Sequence, residues 1–409
     1  MSYKLVCRTC HKEWLEDCFR CPECGGILDC QFELEDRAFY SSVIKNANAF
    51  WDYSPLLPLK SDSYITIGEG GTGLVEADSL AKLLNVRRVL VKNEGQNPSG
   101  TFKDRCLSVG YSKAKEMNAP ATVIGSAGNA GASAAAYAAK AGIPCFVMVP
   151  GTTSMERVVQ TLMYGANMIK INGNVSDCIE MLKRVCDERG WHNMTTAHPC
   201  NPFQAEGSKT IAYEIAKQLD WSLPDFIIVP IGGGGILTGI YKGLCDMKTL
   251  GMIDKIPRMV GVQEDGCSAV VNAFDIHARP EDVKRVEFPS GIAVAINDAY
   301  PLDGETALTA IYDSKGYAVK VSANEIAEAQ SLLGSTTGVF AEPASACSIA
   351  ALVKLTGNGA IASDSTVCCI VTGNGLKDSA FAISHACKPQ LVNLDDEELN
   401  LAIEACLKN

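Results

Sequence analysis

Asn97-Pro98-Ser99-Gly100-Thr101-Phe102-Lys103-Asp104-Arg105 is the stretch on which the reading of this chain turns. It follows an apolar run from Val86 to Val91 that reads as a strand and leads into Lys92-Asn93-Glu94. Asn97 to Gly100 is turn chemistry, because proline fixes φ and glycine accepts the positive φ of a tight reversal. A helical pattern starts near Lys103 and continues through Tyr111. Lys103 is thereby expected at an ordered helix start. Alone, it reads first as a solvated lysine in a Lys-Asp-Arg cluster.

Three further turns change that weighting. Ser126-Ala127-Gly128-Asn129-Ala130-Gly131 follows the strand-like Ala121 to Gly125. Gly232-Gly233-Gly234-Gly235 follows Phe226 to Pro230, and Thr372-Gly373-Asn374-Gly375 follows Thr366 to Val371. Each is a Gly-rich turn at the carboxyl end of an apolar run, which is where open α/β sheets bind ligands. A turn between strand and helix can cradle a phosphate on backbone N–H groups, and residues without side chains allow close approach.

The 409 residues suggest two to three domains and a substantial core. A net charge of −11 and a pI near 5.1 argue against nucleic acid as a partner. No apolar stretch approaches the ~18–20 residues of a membrane span. Met1-Ser2-Tyr3-Lys4 lacks the layout of a secretory signal, so a cytoplasmic location is expected. Among the 18 cysteines, Cys106, Cys145, Cys178, Cys368 and Cys369 sit in apolar or helical runs and read as small buried hydrophobes. Such usage suits a reducing compartment.

Cys7-Arg8-Thr9-Cys10 and Cys21-Pro22-Glu23-Cys24 form a pair of CxxC knuckles with ten residues between them. Four thiolates brought together this way make a tetrahedral, structural Zn2+ site. His11, Cys18 and Cys30 are spare ligand types, so other sets stay open. Phe50-Trp51-Asp52-Tyr53-Ser54-Pro55-Leu56-Leu57-Pro58 reads as an arm laid on the body or on a partner, its prolines excluding a helix.

From Val86 onward strands and helices alternate. The expected strands are 86–92, 121–125, 145–149, 168–171, 226–230, 259–263 and 367–371. The expected helices are 130–141, 155–164, 175–189, 207–218, 239–250 and 323–333, with a further helix starting at the acidic 395–398. Such alternation means parallel sheets covered by helices.

Taken together, these motifs resemble the fold-type II pyridoxal-phosphate enzymes, and within them the threonine synthases. The resemblance spans nearly the whole chain and includes the cysteine module. It implies an α/β fold with two open, mostly parallel sheets covered by helices, like that of tryptophan synthase β, preceded by a zinc-ribbon-like module. The implied division is residues 1–35 for that module, 36–97 for an arm and the start of a large domain, 98–200 for a smaller α/β domain, and 201–409 for the rest of the large one.

By this resemblance Lys103 carries pyridoxal 5'-phosphate as a Schiff base and shuttles the α-proton. Phe102, Asn129, Gly232, Gly233, Gly234, Gly235, Ile236 and Thr372 would hold the cofactor, with Asn129 at its ring hydroxyl and Thr372 at its pyridine nitrogen. Asn129 also reads as a helix cap. Ser126, Ala127, Gly128, Ala130 and Gln204 would meet a small amino-acid substrate. A homodimer is the family expectation.

The chain departs from the family at the pocket. The usual Asn-Ser-x-Asn-Pro-Tyr-Arg segment, which would grip a substrate phosphate, is His198-Pro199-Cys200-Asn201-Pro202-Phe203-Gln204 here. Losing the guanidinium removes a bidentate grip on phosphate. The tetraglycine turn, Ser126 to Asn129, His198-Pro199 and Ser290-Gly291-Ile292-Ala293-Val294 resemble threonine/serine dehydratases. Lys209 or Arg105 remains as a potential anion ligand. The expected activity is lyase or replacement chemistry at Cβ or Cγ. A threonine/serine ammonia-lyase and a cysteate synthase-like replacement on phosphoserine are alternatives within that class. A zinc-ribbon binding protein with an inactive body is the alternative outside it.

Overall fold

A computed structural model describes residues 3–173 and 175–407. Three sheets organise it. The first is small and antiparallel, in the order β2-β1-β3, from β1 (Tyr3–Cys7), β2 (Glu13–Trp14) and β3 (Leu28–Phe32). The largest has six strands, formed by β4 (Leu74–Glu76), β5 (Arg88–Asn93), β10 (Phe226–Pro230), β11 (Arg258–Glu264), β12 (Tyr317–Val321) and β13 (Thr366–Val371). Its order is β12-β11-β10-β13-β5-β4, parallel throughout except for β4. The third, β8-β7-β6-β9, is parallel and contains β6 (Thr122–Ile124), β7 (Cys145–Pro150), β8 (Asn167–Ile171) and β9 (His192–Asn193).

Both parallel sheets are covered on two faces, because successive side chains in a strand point to opposite sides. In β10, Ile227 and Val229 enter one core, while Phe226 and Ile228 enter the other. Cys368 and Cys369 divide in the same way across β13. Val123 and Ile124 split between the two cores of the smaller sheet.

Phe50–Leu56 corrects the expectation for the arm. It forms a 3-10 helix with Pro55 inside it, because proline excludes the longer α-helical ladder but not a short turn of tighter pitch. Phe50, Tyr53, Leu56 and Leu57 are buried in the body of the same chain. The helix expected from Gly239 instead begins at Gly235, directly on the glycine run, and extends to Thr249. The N-terminal sheet packs on the far end of the helix Lys103–Glu116: Lys113 donates to Tyr3 Oη at 2.9 Å and pairs with Asp17 at 3.2 Å. Phe19 meets Phe203 edge-on, with ring centroids 5.7 Å apart. Among the described residues no helix is long and apolar enough to cross a membrane.

Candidate active site

β10, β13 and β5 lie side by side, so the turns leaving their carboxyl ends converge. These carry the tetraglycine run, Thr372 and the Lys103 stretch. Phe102 N–H donates to Thr372 O at 3.0 Å, and Asn374 N–H donates to Gly100 O at 2.9 Å, which splices the last two together. Asn129 reaches the same place from the end of β6 in the other sheet.

Lys103 is the first residue of its helix, and its Nζ donates to Thr196 Oγ1 at 2.7 Å. A narrow cavity beside it is lined by Phe102, Lys103, Thr196, Gln204, Ile236 and Asp303, with Gly235 on the same wall. Gly234 precedes the helix with φ +98°, and a Cβ there would meet Asp303 O at 2.6 Å, so only glycine suits this bend. The first-turn N–H groups that follow have no partners within their own helix and are available to an anion.

Two acids that sequence reasoning passed over face this turn. Asp303 is buried, and its N–H donates to Gly233 O at 2.7 Å. Asp298 stands beside the first of the four glycines, with Oδ2 2.9 Å from where a Cβ on Gly232 would stand. The surrounding protein mass raises both carboxyls above the ordinary range, opposed at Asp303 first by His198 and at Asp298 by the Lys103 charge.

Asn129 is not the cap of its helix: Gly128 holds that position without a side-chain bond, and Asn129 begins the helical turn. Its Nδ2 instead donates to Glu342 Oε1 at 2.8 Å and Oε2 at 3.0 Å. Burial pushes Glu342 up to about 7. Thr372 Oγ1 lies 2.9 Å from Ser345 Oγ, which also accepts Gly373 N–H at 2.8 Å. Glu342 and Ser345 open the helix Pro343–Gly357, Glu342 as its N-cap. The Glu342-Pro343 pair, a cap residue followed by proline, was the available signal for that helix start.

In the Ser126–Ala130 turn a Cβ on Gly131 would come within 2.1 Å of Ser126 O, so glycine lets the turn fold back on its helix. Ala130 packs into the core and Ala127 packs against it. Contact with a substrate at those two positions is therefore left to the backbone. Gln204 is buried, donates to Thr195 O, and leaves Oε1 without a partner among the described residues.

Neither cation kept in reserve for an anion is available. Arg105 is enclosed by Glu94 at 2.7 Å and Glu214 at 2.6 Å. Lys209 is held by Glu206 at 3.0 Å and Asp246 at 3.3 Å, over the Phe32 ring.

In the N-terminal module the Sγ atoms of Cys7, Cys10, Cys21 and Cys24 lie within 4.8 Å of one another. Backbone N–H donation, from Cys10 first and also from Thr9, holds the Cys7 thiol down at about 6. Four convergent thiols on two knuckles fit Zn2+. His11, Cys18 and Cys30 are outside the cluster, and Cys30 Sγ faces Pro202 O at 3.7 Å.

The chain matches the family model "Pyridoxal-phosphate dependent enzyme" over residues 65–373. It is 40% identical to the threonine synthase of Methanocaldococcus jannaschii, over 95% of this chain and 96% of that protein. It is 38% identical to the threonine synthase of Methanosarcina acetivorans, over 98% of each. Maize serine racemase shares the fold with a TM-score of 0.64 at 21% identity, covering 82% of this chain and 92% of that one. Diaminopropionate ammonia lyase of Escherichia coli does so with a TM-score of 0.66 at 17% identity, covering 80% and 91%. The residues fit the cofactor these relatives imply: a lysine amine shares its cavity with the start of a helix that opens on a side-chain-free turn, and Phe102 ties that lysine to the hydroxyl pair at the end of β13. The chain belongs to the pyridoxal-phosphate-dependent enzyme family and is a lyase of its threonine synthase-like group.

Proposed function

We propose that this enzyme eliminates the β-substituent of a small amino acid that carries no phosphate, in the manner of a threonine/serine ammonia-lyase. The observation that supports it is the charge of the cavity beside Lys103. Asp303 lines it, Asp298 stands next to Gly232 of the adjoining turn, Gln204 occupies the place of a guanidinium, and Arg105 and Lys209 are already neutralised. An anionic leaving group would enter without a counter-charge.

Bound pyridoxal phosphate supplies a sink for the electron pair left when Cα loses its proton. Lys103 Nζ, aimed by Thr196 Oγ1, takes that proton and returns it. The N–H groups of the Gly232–Ile236 turn would hold the cofactor's phosphate, and Phe102, Asn129 and Thr372 would hold its ring. Thr372 is a neutral hydroxyl, so the ring is a milder sink, which suits elimination over transamination. Backbone N–H groups of the Ser126–Ala130 turn receive the substrate carboxylate. The proposal keeps the four-part domain division, a homodimer, a cytoplasmic setting and one Zn2+ on the four cysteines.

A second reading, threonine synthesis from O-phosphohomoserine, is favoured by the identity to named threonine synthases. One panel decides between the two. Purified protein is incubated with serine, threonine, O-phosphohomoserine, and phosphoserine with and without sulfite, while ammonia, keto acid, phosphate and threonine are measured. Ammonia and keto acid from serine or threonine are expected, and phosphate release with threonine formation overturns the proposal. Lys103→Ala is expected to abolish the visible cofactor band and slow turnover by about 10²–10⁴-fold while the fold survives.

A further inference from the structure

The cysteine module and the glycine turn are distant in sequence and joined in space. Arg8, inside the first CxxC, donates to both oxygens of Asp29 on β3, at 2.6 and 2.7 Å. Asp29 Oδ1 lies 3.4 Å from Nε2 of His198. On the other side of the ring, Nδ1 is 3.7 Å from Asp303 Oδ1, and the backbone N–H of His198 donates to that carboxylate at 3.2 and 3.3 Å. Asp303 ends the series with its own N–H on Gly233 O, inside the turn.

Two features of this series ask for a role. His198 is only 4% exposed, yet neither ring nitrogen has a hydrogen-bond partner among the described residues. A buried imidazole left in that state costs free energy unless a contact tightens around it. Asp303, moreover, is an acid packed against a turn built for a dianion, where like charges repel. A proton shared between His198 and Asp303 leaves that pair with no net charge, and Asp29, gripped by Arg8, fixes the far side of the ring.

We propose that His198 and Asp303 are positioning residues that couple the four-cysteine module to the cofactor turn, so that emptying the thiolate site loosens the cofactor. The readout is cofactor affinity rather than turnover. Full-length wild type and His198→Ala are reconstituted with zinc, their zinc content is measured, and pyridoxal phosphate is titrated before and after chelation. Chelation is expected to raise the wild-type dissociation constant about tenfold, and His198→Ala to raise it similarly at unchanged zinc content. Chelation of the variant is then expected to add less than about twofold, because both steps cut the same connection. Additive effects, no effect of chelation on wild type, or a chain that takes up no zinc would each overturn the proposal. If His198→Ala does not fold, the same cycle with His198→Gln or Asp29→Asn decides.

Discussion

Two of the groups of charge in this molecule are built on opposite plans. In the first, Lys92 and Arg105 face Glu94 and Glu214, and the separations run from 2.6 to 2.7 Å with every head group engaged. In the second, Asp303 lines the cavity at Lys103, with His198 behind it at 3.7 Å and Asp298 beside Gly232, and here the ring nitrogens are open and both carboxyls are raised. Charges matched in number and geometry make a strut between β5 and the helix Thr210–Gln218. Charges left unmatched mark where a ligand completes the set.

The comparison breaks most readily on its matched side. Glu214→Ala removes the acid that Arg105 and Lys92 share, leaving two buried cations to the single carboxylate of Glu94, and should cost about 3–5 kcal/mol, read as a lowered urea midpoint. A loss below about 1 kcal/mol would mean that water enters and that the strut is no strut.

The next test concerns Glu342, the raised acid beside Asn129. Its carboxyl ionises near 7 when folded against an ordinary 4.5, so the folded chain holds more protons between those values. Its contribution to stability is therefore greatest at low pH and falls as pH rises through 7. Relative to Glu342→Gln, wild type should lose up to about 3 kcal/mol between pH 5 and 8. Parallel stability profiles for the two proteins would count against it.

The smallest expected effect sharpens the unmatched side. Gln204→Arg restores a cation to the wall and should strengthen competitive inhibition by inorganic phosphate about tenfold, near 1.4 kcal/mol. The longer side chain in a buried place should also cost about 1–3 kcal/mol of stability. Unchanged phosphate inhibition in a folded variant would show that position 204 does not face the substrate.

Much of this was legible in the residues themselves. Phe226–Pro230 was read to both ends, because five consecutive buried positions flanked by turn chemistry leave little choice. Tyr317–Val321 escaped, as an edge strand whose Lys320 interrupts the apolar run. The helix Pro343–Gly357 escaped for the opposite reason. Its Ala, Ser and Cys residues are buried nearly all round, and without an exposed face there is no stripe to read. Glu342 and Ser345 went with it. The turns announced themselves by composition. The acids that close on them, Asp298 and Asp303, come from a segment with no motif, and only packing brings them near.

The helix that begins at Lys103 ends beneath the N-terminal sheet, with the Lys113 ammonium resting on Tyr3 and Asp17 and the Phe203 ring against Phe19. A chain shortened to start at residue 36 would leave that ammonium with Glu116 as its remaining acid and would bare Phe203 and Met117 at the far end of the helix from Lys103. A minimal version of this enzyme cut at the boundary that its cysteine spacing invites should therefore lose stability. The small module serves as the back plate of the helix Lys103–Glu116, whether or not it ever meets a substrate.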